Sequence, residues 1–335
     1  MKRLVTLDVA EAGWLSTYQD LGRTNAEAMG VPSGGAADQH SAAVGNILVG
    51  NPRTGACIEI MGGRFSFTPS NDILIAVTGT PAELTIGGCT APLWTPTRVP
   101  AGAKVTIARA TEGVRSYLCI AGAIHTAHFM GSCAPDARMG FAQKLSAGDQ
   151  ISVLTANSGY SHPYFDNMLF RLPVPIPTYG GGIWTVDVVD GPEMNATPGI
   201  RELMTSSLYT VGGRSDHVGL RLDGPVLHPE GLGEITSHGV PVGAIEIPHS
   251  DELIILGRYR TLTAGYPIVA FATTAAQSML GQAGPGRRIT FNWVAAADAV
   301  RHLRYREHEL NVLEDAVHSA FTAAGLPLSE SASPL

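Results

Sequence analysis

Apolar positions along this chain come in short runs bounded by glycine or proline, without the long 3.6-residue periodicity of a helical protein. In the first half, DILIAVTG (72–79), AELTIGG (82–88), AKVTIARA (103–110), RSYLCIAG (115–122) and DQISVL (149–154) are brief and rich in β-branched residues. That combination predicts strands. One helix interrupts them, DQHSAAVGNILVGN (38–51). Asp38 suits its N-cap, Val44, Ile47 and Leu48 share a face, and Gly50-Asn51-Pro52 ends it.

From 155 to 182 the pattern dissolves into NSGYSHPYFDN and LPVPIPTYGGG, which predicts a boundary. Beyond it, WTVDVVDGP, RLDGPVL, VGAIEIP, ELIILG, YPIVAFA and RITFNWV read as strands, and TAAQSMLGQ (274–282) as a short helix. The stretch 296–324 is amphipathic, with Val300, Leu303, Leu310, Leu313, Val317 and Phe321 on one stripe. The expected organisation is therefore a β-barrel domain over 1–160, a Pro/Gly-rich linker over 161–182 and a second β-barrel over 183–295. A C-terminal helix at 296–324 and a loose tail at 325–335 complete it.

Composition agrees with a turn-rich, mainly β protein: 44% apolar, 15% charged, with 39 glycines and 22 prolines in 335 residues. The formal net charge of −7, without a basic cluster, argues against a nucleic-acid partner. The start, MKRLVTLDVAEAG, lacks the apolar core and cleavage site of a secretory signal, and no run approaches the roughly 18 apolar residues of a membrane helix. No membrane partner and a cytoplasmic location are the expectation. Cys57, Cys89, Cys119 and Cys133 show no CxxC spacing, and three of them sit in apolar surroundings as small core residues.

The common catalytic signatures are missing. The chain has no GxxxxGK[ST], no GxSxG, no HExxH and no zinc-spaced Cys/His set, so no metal site is expected. What remains is a set of polar turns. In TYQDLGR (17–23), Gln19 and Asp20 can fix a loop through side-chain bonds to the backbone, and Arg23 offers a planar fork suited to carboxylate, carbamate or phosphate. An ordinary surface turn with an Asp–Arg ion pair is the competing reading. The Gly34-Gly35 pair leads into the helix at Asp38, where backbone N–H groups can face an anion or merely connect two elements. Arg115 and Tyr117 share a strand face by period two. Arg214, Asp216 and Arg221 form a further polar turn, as do Arg260, Thr261, Thr263 and Tyr266.

Taken in order, TYQDLGR, GVPSGGAAD, NILVGNP and IEI resemble the allophanate hydrolase subunit 2 family. This family also holds the carboxyltransferase domain of urea carboxylase and the C subunit of 5-oxoprolinase. The likeness resumes at TEGVRSYLCIAGAI, at GS (131–132), and at SDHVGLRLDGP, SHGVPVGAIEIP, TLTAGYPIVAFATT and QAGPGRRITF, spanning about residues 5–295. The resemblance implies two tandem cyclophilin-like β-barrel domains. It also implies a companion subunit of the allophanate hydrolase subunit 1 family, and a small amide, ureide or lactam as substrate. Carboxybiotin on a partner's carrier, or ATP in the assembled complex, would be the activating group, with none bound covalently in this chain.

Carried over position by position, the family motifs fall on Gln19, Asp20, Gly22 and Arg23, on Gly35 and Asp38, and on Arg115 and Tyr117. Arg23, Arg115 and Tyr117 are the expected catalytic residues. Gln19, Asp20, Gly35, Asp38, Ser132, Arg221, Glu246, Arg260 and Tyr266 are the expected substrate-binding ones. The chain also departs from the family. Cys133, Ala134 and Pro135 replace an Arg and hydroxyl residues, and Phe141, Ala142 and Gln143 replace glycines. His217 stands for an Arg, Glu246 for a Gln, Tyr259 for an Asp, Thr261 for a Gln, Leu262 for a Thr and Ala264 for a Gly. A subunit of a heteromeric carboxyltransferase or of an amide- or lactam-cleaving enzyme is the leading reading. A non-catalytic regulatory or scaffold protein that binds the companion subunit is the alternative.

Overall fold

The computed structural model of the chain describes residues 2–159, 172–196, 198–225, 235–248 and 252–328. Most of the NSGYSHPYFDN stretch, the end of RLDGPVL and the last part of the tail lie outside the described residues. The chain divides into two compact units. The first comprises Met1–Arg23, Gly34–Thr178 and Glu307–Leu335, the second Thr24–Ser33 and Tyr179–Arg306.

The first unit opens with β1 (Arg3–Ala12) and β2 (Leu15–Gln19), followed by α1 (Gln39–Leu48). Then come β3 (Cys57–Met61), β4 (Phe65–Pro69), β5 (Ile73–Gly79), β6 (Leu84–Ile86), β7 (Cys89–Ala91) and β8 (Thr97–Val99). It continues through β9 (Val105–Ile107), β10 (Arg115–Ile120), β11 (Ala123–Ile124) and β12 (Gln150–Thr155). The strands form a seven-stranded sheet, β11-β12-β1-β4-β9-β6-β7, and a five-stranded one, β2-β3-β10-β5-β8. Alternation explains how they close on one core. Val5, Leu7 and Val9 of β1, Phe65 and Phe67 of β4, Ile73, Ile75 and Val77 of β5, and Leu118 and Ile120 of β10 all point inward and are buried.

Helix α1 follows the expectation and is buried almost all round, from His40 to Leu48. The Asp38 carboxylate caps it, accepting from Ser41 N at 3.0 Å and from Ser41 Oγ at 2.6 Å. Gly45 permits its close approach to the sheet, since a Cβ there would sit 2.6 Å from Cys119 Sγ and 3.0 Å from Thr78 Oγ1. Cys57, Cys119 and Cys133 are buried free thiols and Cys89 is exposed.

The second unit contains β13 (Ile183–Asp190), α2 (Ile200–Ser206), β14 (Tyr209–Val211), β15 (Gly219–Asp223) and β16 (His238–Gly239). After these come β17 (Ala244–Glu246), β18 (Leu253–Leu256), β19 (Thr263–Ala264), β20 (Ile268–Ala272), α3 (Thr274–Leu280) and β21 (Arg288–Trp293). Seven of these strands close into a barrel in the order β13-β20-β17-β18-β15-β14-β21, sealed by parallel pairing of β13 with β21. Closure leaves no barrel edge exposed. Strands β16 and β19 pair as a separate two-stranded ribbon. The mainly β expectation, with two β units and a C-terminal helix, holds.

That helix is α4 (Ala296–Ala324). The expected apolar stripe holds only in its later turns, where Leu310, Leu313, Val317 and Phe321 are buried. Val300, expected on the same stripe, is 46% exposed. The glycine that stops α1 also receives this helix: a Cβ on Gly50 would meet the Phe321 ring at 2.8 Å. Arg53 fixes the adjoining face, donating to Glu314 Oε1 at 2.9 Å, Glu307 Oε2 at 3.1 Å and Asn311 Oδ1 at 2.7 Å. Among the described residues no helix is long and apolar enough to cross a membrane.

Phe321→Ala is therefore expected to destabilise the first unit by about 3–5 kcal/mol, and Val300→Ala by less than about 0.5 kcal/mol. Urea unfolding followed by tryptophan fluorescence measures both. Equal effects would mean that the end of α4 is not part of this core.

Candidate functional site

The TYQDLGR turn is built by buried polar side chains. Gln19 ends β2, and its Nε2 donates to Thr17 Oγ1 at 3.2 Å. Asp20 and Arg23 do not form the ion pair that a surface turn would have, for each is turned to a different partner. Asp20 Oδ1 accepts from Gly22 N at 2.8 Å and from Ser132 Oγ at 2.6 Å, and Oδ2 accepts from Cys133 N at 2.9 Å. Ser132 Oγ also accepts from Ala134 N at 3.0 Å. One carboxylate thus pins the 131–134 loop to the turn.

Arg23 completes the attachment. Its guanidinium is 1% exposed, Nε donates to the Phe129 carbonyl at 3.1 Å, and Nη2 donates to the Ala134 carbonyl. The Phe129 and Phe141 rings lie 5.2 Å and 5.9 Å from Cζ. Its remaining nitrogen, Nη1, is buried and has no hydrogen-bond partner. A buried charged donor left unmet is costly, so this atom marks where a ligand acceptor would be stabilised. Phe141, at a position where the resemblance implied a glycine, covers this cation.

Next to the turn lies a second polar cluster, centred on a residue that sequence reasoning left without a role. Glu59 of β3 pairs in register with Tyr117 of β10. Its Oε2 accepts from the Tyr117 hydroxyl at 2.8 Å and from Ala37 N at 2.9 Å, while Oε1 accepts from Arg115 Nε at 3.1 Å. The Tyr117 hydroxyl in turn accepts from Asp38 N at 2.8 Å. The start of α1 therefore faces an anion, and that anion is Glu59. Tyr117 is wholly buried, and burial together with the Glu59 charge pushes its hydroxyl well above the usual range. The available signal was a lone acid inside the apolar strand Ile58-Glu59-Ile60.

Gly35 joins the two clusters. At φ +92° a Cβ would lie 2.7 Å from Gly22 N and 2.8 Å from Leu21 C, and the neighbouring Ala36 N donates to the Asp20 carbonyl at 2.8 Å. Gln39 Nε2 adds a bond to the Leu21 carbonyl at 2.8 Å. Gln19, Asp20, Arg23, Gly35, Asp38, Arg115, Tyr117 and Ser132 are thus brought into one hydrogen-bonded region of the first unit. Cys133 belongs to it too, but burial and the Asp20 carboxylate push its thiol far up, so it supplies no thiolate at neutral pH.

The remaining candidates belong to the second unit. Arg221 Nη1 donates to Glu252 Oε1 at 2.5 Å, and Arg214 shares the same carboxylate at 2.7 Å. Tyr266 is half-buried on the segment before β20. Arg260 is 2% exposed, its Nε donating to the Val240 carbonyl at 2.6 Å and its Nη2 to Glu27 Oε1 at 2.8 Å, with Nη1 buried and unmet. Glu246 is 4% exposed, and burial raises its carboxyl to about 7 despite the opposing influence of His238. The His217 and Tyr259 rings meet edge to face at 5.6 Å. An aromatic pair thus stands where the resemblance implied an Arg and an Asp. Among the described residues no group of His, Cys, Asp and Glu is placed to hold a metal.

Comparison with known proteins gives this fold a family. The chain belongs to the family described as carboxyltransferase domain, subdomain A and B, which matches residues 29–293. The C subunit of 5-oxoprolinase from Escherichia coli is 28% identical over 313 residues, covering 88% of this chain and 93% of that protein. Its counterpart from Haemophilus influenzae is 27% identical over 306 residues, covering 90% and 95%. Among solved structures, the Kluyveromyces lactis urea amidolyase shares the fold with a TM-score of 0.82 at 23% identity, over 92% of this chain and 20% of that one. TTHA0988 matches with a TM-score of 0.74 at 27% identity, over 87% of this chain and 57% of that one. The chain thus spans a minor part of the amidolyase and little more than half of TTHA0988.

The Glu246 environment makes a stability prediction. A carboxyl raised to about 7 in the folded protein contributes stability below its unfolded value near 4.5 and loses it as pH rises towards 7. The full loss is on the order of 3 kcal/mol. Glu246→Gln is expected to remove this loss, so urea unfolding at pH 5 and pH 8 should show the variant gaining on the wild type only at the higher pH. An equal difference at both pH values would contradict it.

Proposed function

We propose that this chain is one subunit of a heteromeric enzyme acting on a small amide, ureide or lactam, as a carboxyltransferase or as part of a lactam-opening complex. The observation that carries the reading is the buried Arg23 guanidinium, with two nitrogens committed to one loop and Nη1 unmet. That geometry suits one planar oxyanion, such as a carboxylate, a carbamate or a developing oxyanion in a water-poor setting. Family membership and the 5-oxoprolinase relatives support it.

The residues divide the work. Arg23 receives the anion, and Phe129 and Phe141 keep water from it. Asp20 and Ser132 hold the loop whose carbonyls orient Arg23. Glu59, Tyr117, Arg115 and Asp38 act as positioning residues, setting the start of α1 against the turn. Carboxybiotin on a partner's carrier, or ATP held elsewhere in the complex, would supply the activated carboxyl or phosphoryl group. Of this chain's described residues, Arg23 fits the anionic end of such a group. Catalysis here is positioning and charge stabilisation. The companion is expected to be a chain of the allophanate hydrolase subunit 1 family.

The bonding of Tyr117 favours a second reading, a regulatory or scaffold subunit, because its one O–H is given to Glu59 and no donor is left for a substrate. Reconstitution with the companion subunit separates the two. ATP consumption with 5-oxoproline or urea, assayed with and without a biotinylated carrier, is expected to require both chains. A stable complex inert towards both compounds and related amides would contradict the enzyme reading and support the regulatory one.

A further inference from the structure

Among the buried polar atoms of the second unit without hydrogen-bond partners, beside Ser33 Oγ, Tyr209 Oη and Arg260 Nη1, are Glu246 Oε1 and His238 Nε2. They belong to different elements, β17 and β16, and fall outside the Arg23 cluster. Several contacts bring these elements together. Ala244 lies two residues before Glu246 on β17, and by period two it shares its face. It packs in one apolar cluster with Val240, Leu256 and Ile268. Val240 lies two residues beyond His238, and its carbonyl is held by Arg260 Nε at 2.6 Å. Glu246 and His238 are close enough that the histidine acts electrostatically on the carboxyl.

The neighbouring charges have other partners. Glu246 pairs in register with Ile254 of β18 and Ile268 of β20. Beyond β20, Glu193 accepts from Ile268 N at 2.8 Å, and beside β18, Glu252 is held by Arg214 and Arg221. Next to β16, Arg260 is paired with Glu27. Among the described residues, His238 is the charge that acts on Glu246.

We propose that Glu246 and His238 form a ligand-recognition pair inside the second unit that takes the –C(=O)–NH– edge of a small amide, ureide or lactam. This rests on the amide-handling reading of the chain above. Such an edge presents one acceptor and one donor side by side. A carboxylate Oε1 accepts from the N–H while a protonated Nε2 donates to the carbonyl, so both orphaned atoms are met at once. A protonated Glu246 with Nε2 as acceptor meets the same edge with the roles exchanged. A carboxylate ligand offers acceptors alone, so it needs both groups to be donors and suits only the doubly protonated pair. The pair therefore selects a neutral amide edge near neutrality and an anion only in acid.

The bare lactam 2-pyrrolidone tests this, because it has no carboxylate for Arg23 to hold. Binding is followed on the purified full chain by NMR, with ¹⁵N-labelled histidine reporting His238 through the resonance lost in His238→Leu. Saturable binding of 2-pyrrolidone at pH 7 is expected, together with a shift of the His238 signal. Glu246→Leu and His238→Leu should each weaken it at least about tenfold. Glu246→Gln, which keeps an acceptor and a donor, should retain binding. Cyclopentanecarboxylate should bind more weakly at pH 8 than at pH 6, where Glu246 has taken up its proton.

Melting temperatures identify any variant that fails to fold, and the Gln variant keeps the test open if both Leu variants do. The proposal is overturned if 2-pyrrolidone does not bind, if folded Leu variants bind it as the wild type does, or if the His238 signal stays still while 2-pyrrolidone binds to the wild type and to Glu246→Gln. These outcomes are read on the chain alone. A negative NMR result would thus overturn the pair while turnover by the reconstituted complex still supported the enzyme reading, and an inert complex would leave the NMR result to decide the pair.

Discussion

A buried guanidinium must find acceptors for its donors, and the arrangement of the first unit around Arg23 follows from that requirement. The fork cannot turn to Asp20, whose oxygens are taken by Gly22, Ser132 and Cys133. Its Nε and Nη2 go instead to the carbonyls of Phe129 and Ala134, on either side of the loop that Asp20 holds by its amide and hydroxyl. Acid and base grip opposite polarities of the same backbone. The loop is thereby fixed without secondary structure of its own, and one donor, Nη1, is left over. Removing either side chain leaves buried carbonyls or amides unmet, which typically costs about 1–3 kcal/mol for each group.

Glu59 plays the complementary part at the start of α1. A helix N-terminus favours negative charge, and here the charge comes from within the fold, bonded to Ala37 N, the Tyr117 hydroxyl and Arg115. The helix is consequently anchored at its first turn by the sheet and at its last by Gly50, against which Phe321 packs. The second unit solves its polar problems less completely. Arg260 keeps one unmet nitrogen, and Glu246 and His238 each keep an unmet atom. Stability is given up at these positions, as proteins commonly do where a ligand is later accommodated.

Much of the fold was legible because period two and β-branched composition are local signals. β5, β10, β12, β13, β18, β20 and β21 all lie on runs read as strands, and α4 matches its predicted range. Strands β1 to β4 lie outside those runs. In β1 the pattern Val5-Leu7-Val9 is regular, but polar residues dilute it, and its partners β12 and β4 are distant in sequence. The outward turn of Val300 was invisible for a related reason: amphipathicity states which face is apolar, not how far the core extends beneath it. In the site, the turn residues Asp20 and Arg23 were visible as a motif. Glu59, Phe129 and His238 were not, since their roles depend on pairing across strands and loops. The contact between the His217 and Tyr259 rings was likewise invisible in the sequence, where the two positions lie 42 residues apart.

Arg23 Nη1 is, on this reading, an oxyanion receptor within an otherwise satisfied network. Side-chain guanidinium NMR on the isolated chain tests it most directly, with the Arg23 signals assigned by Arg23→Lys and titrated with 5-oxoproline at pH 7. A saturable shift of the Nη1 signals is expected, with the Nε signal, held by Phe129, moving little. An Arg23 spectrum indifferent to the carboxylate at saturating concentration would contradict the claim and leave Arg23 as a purely structural cross-link between the turn and its loop.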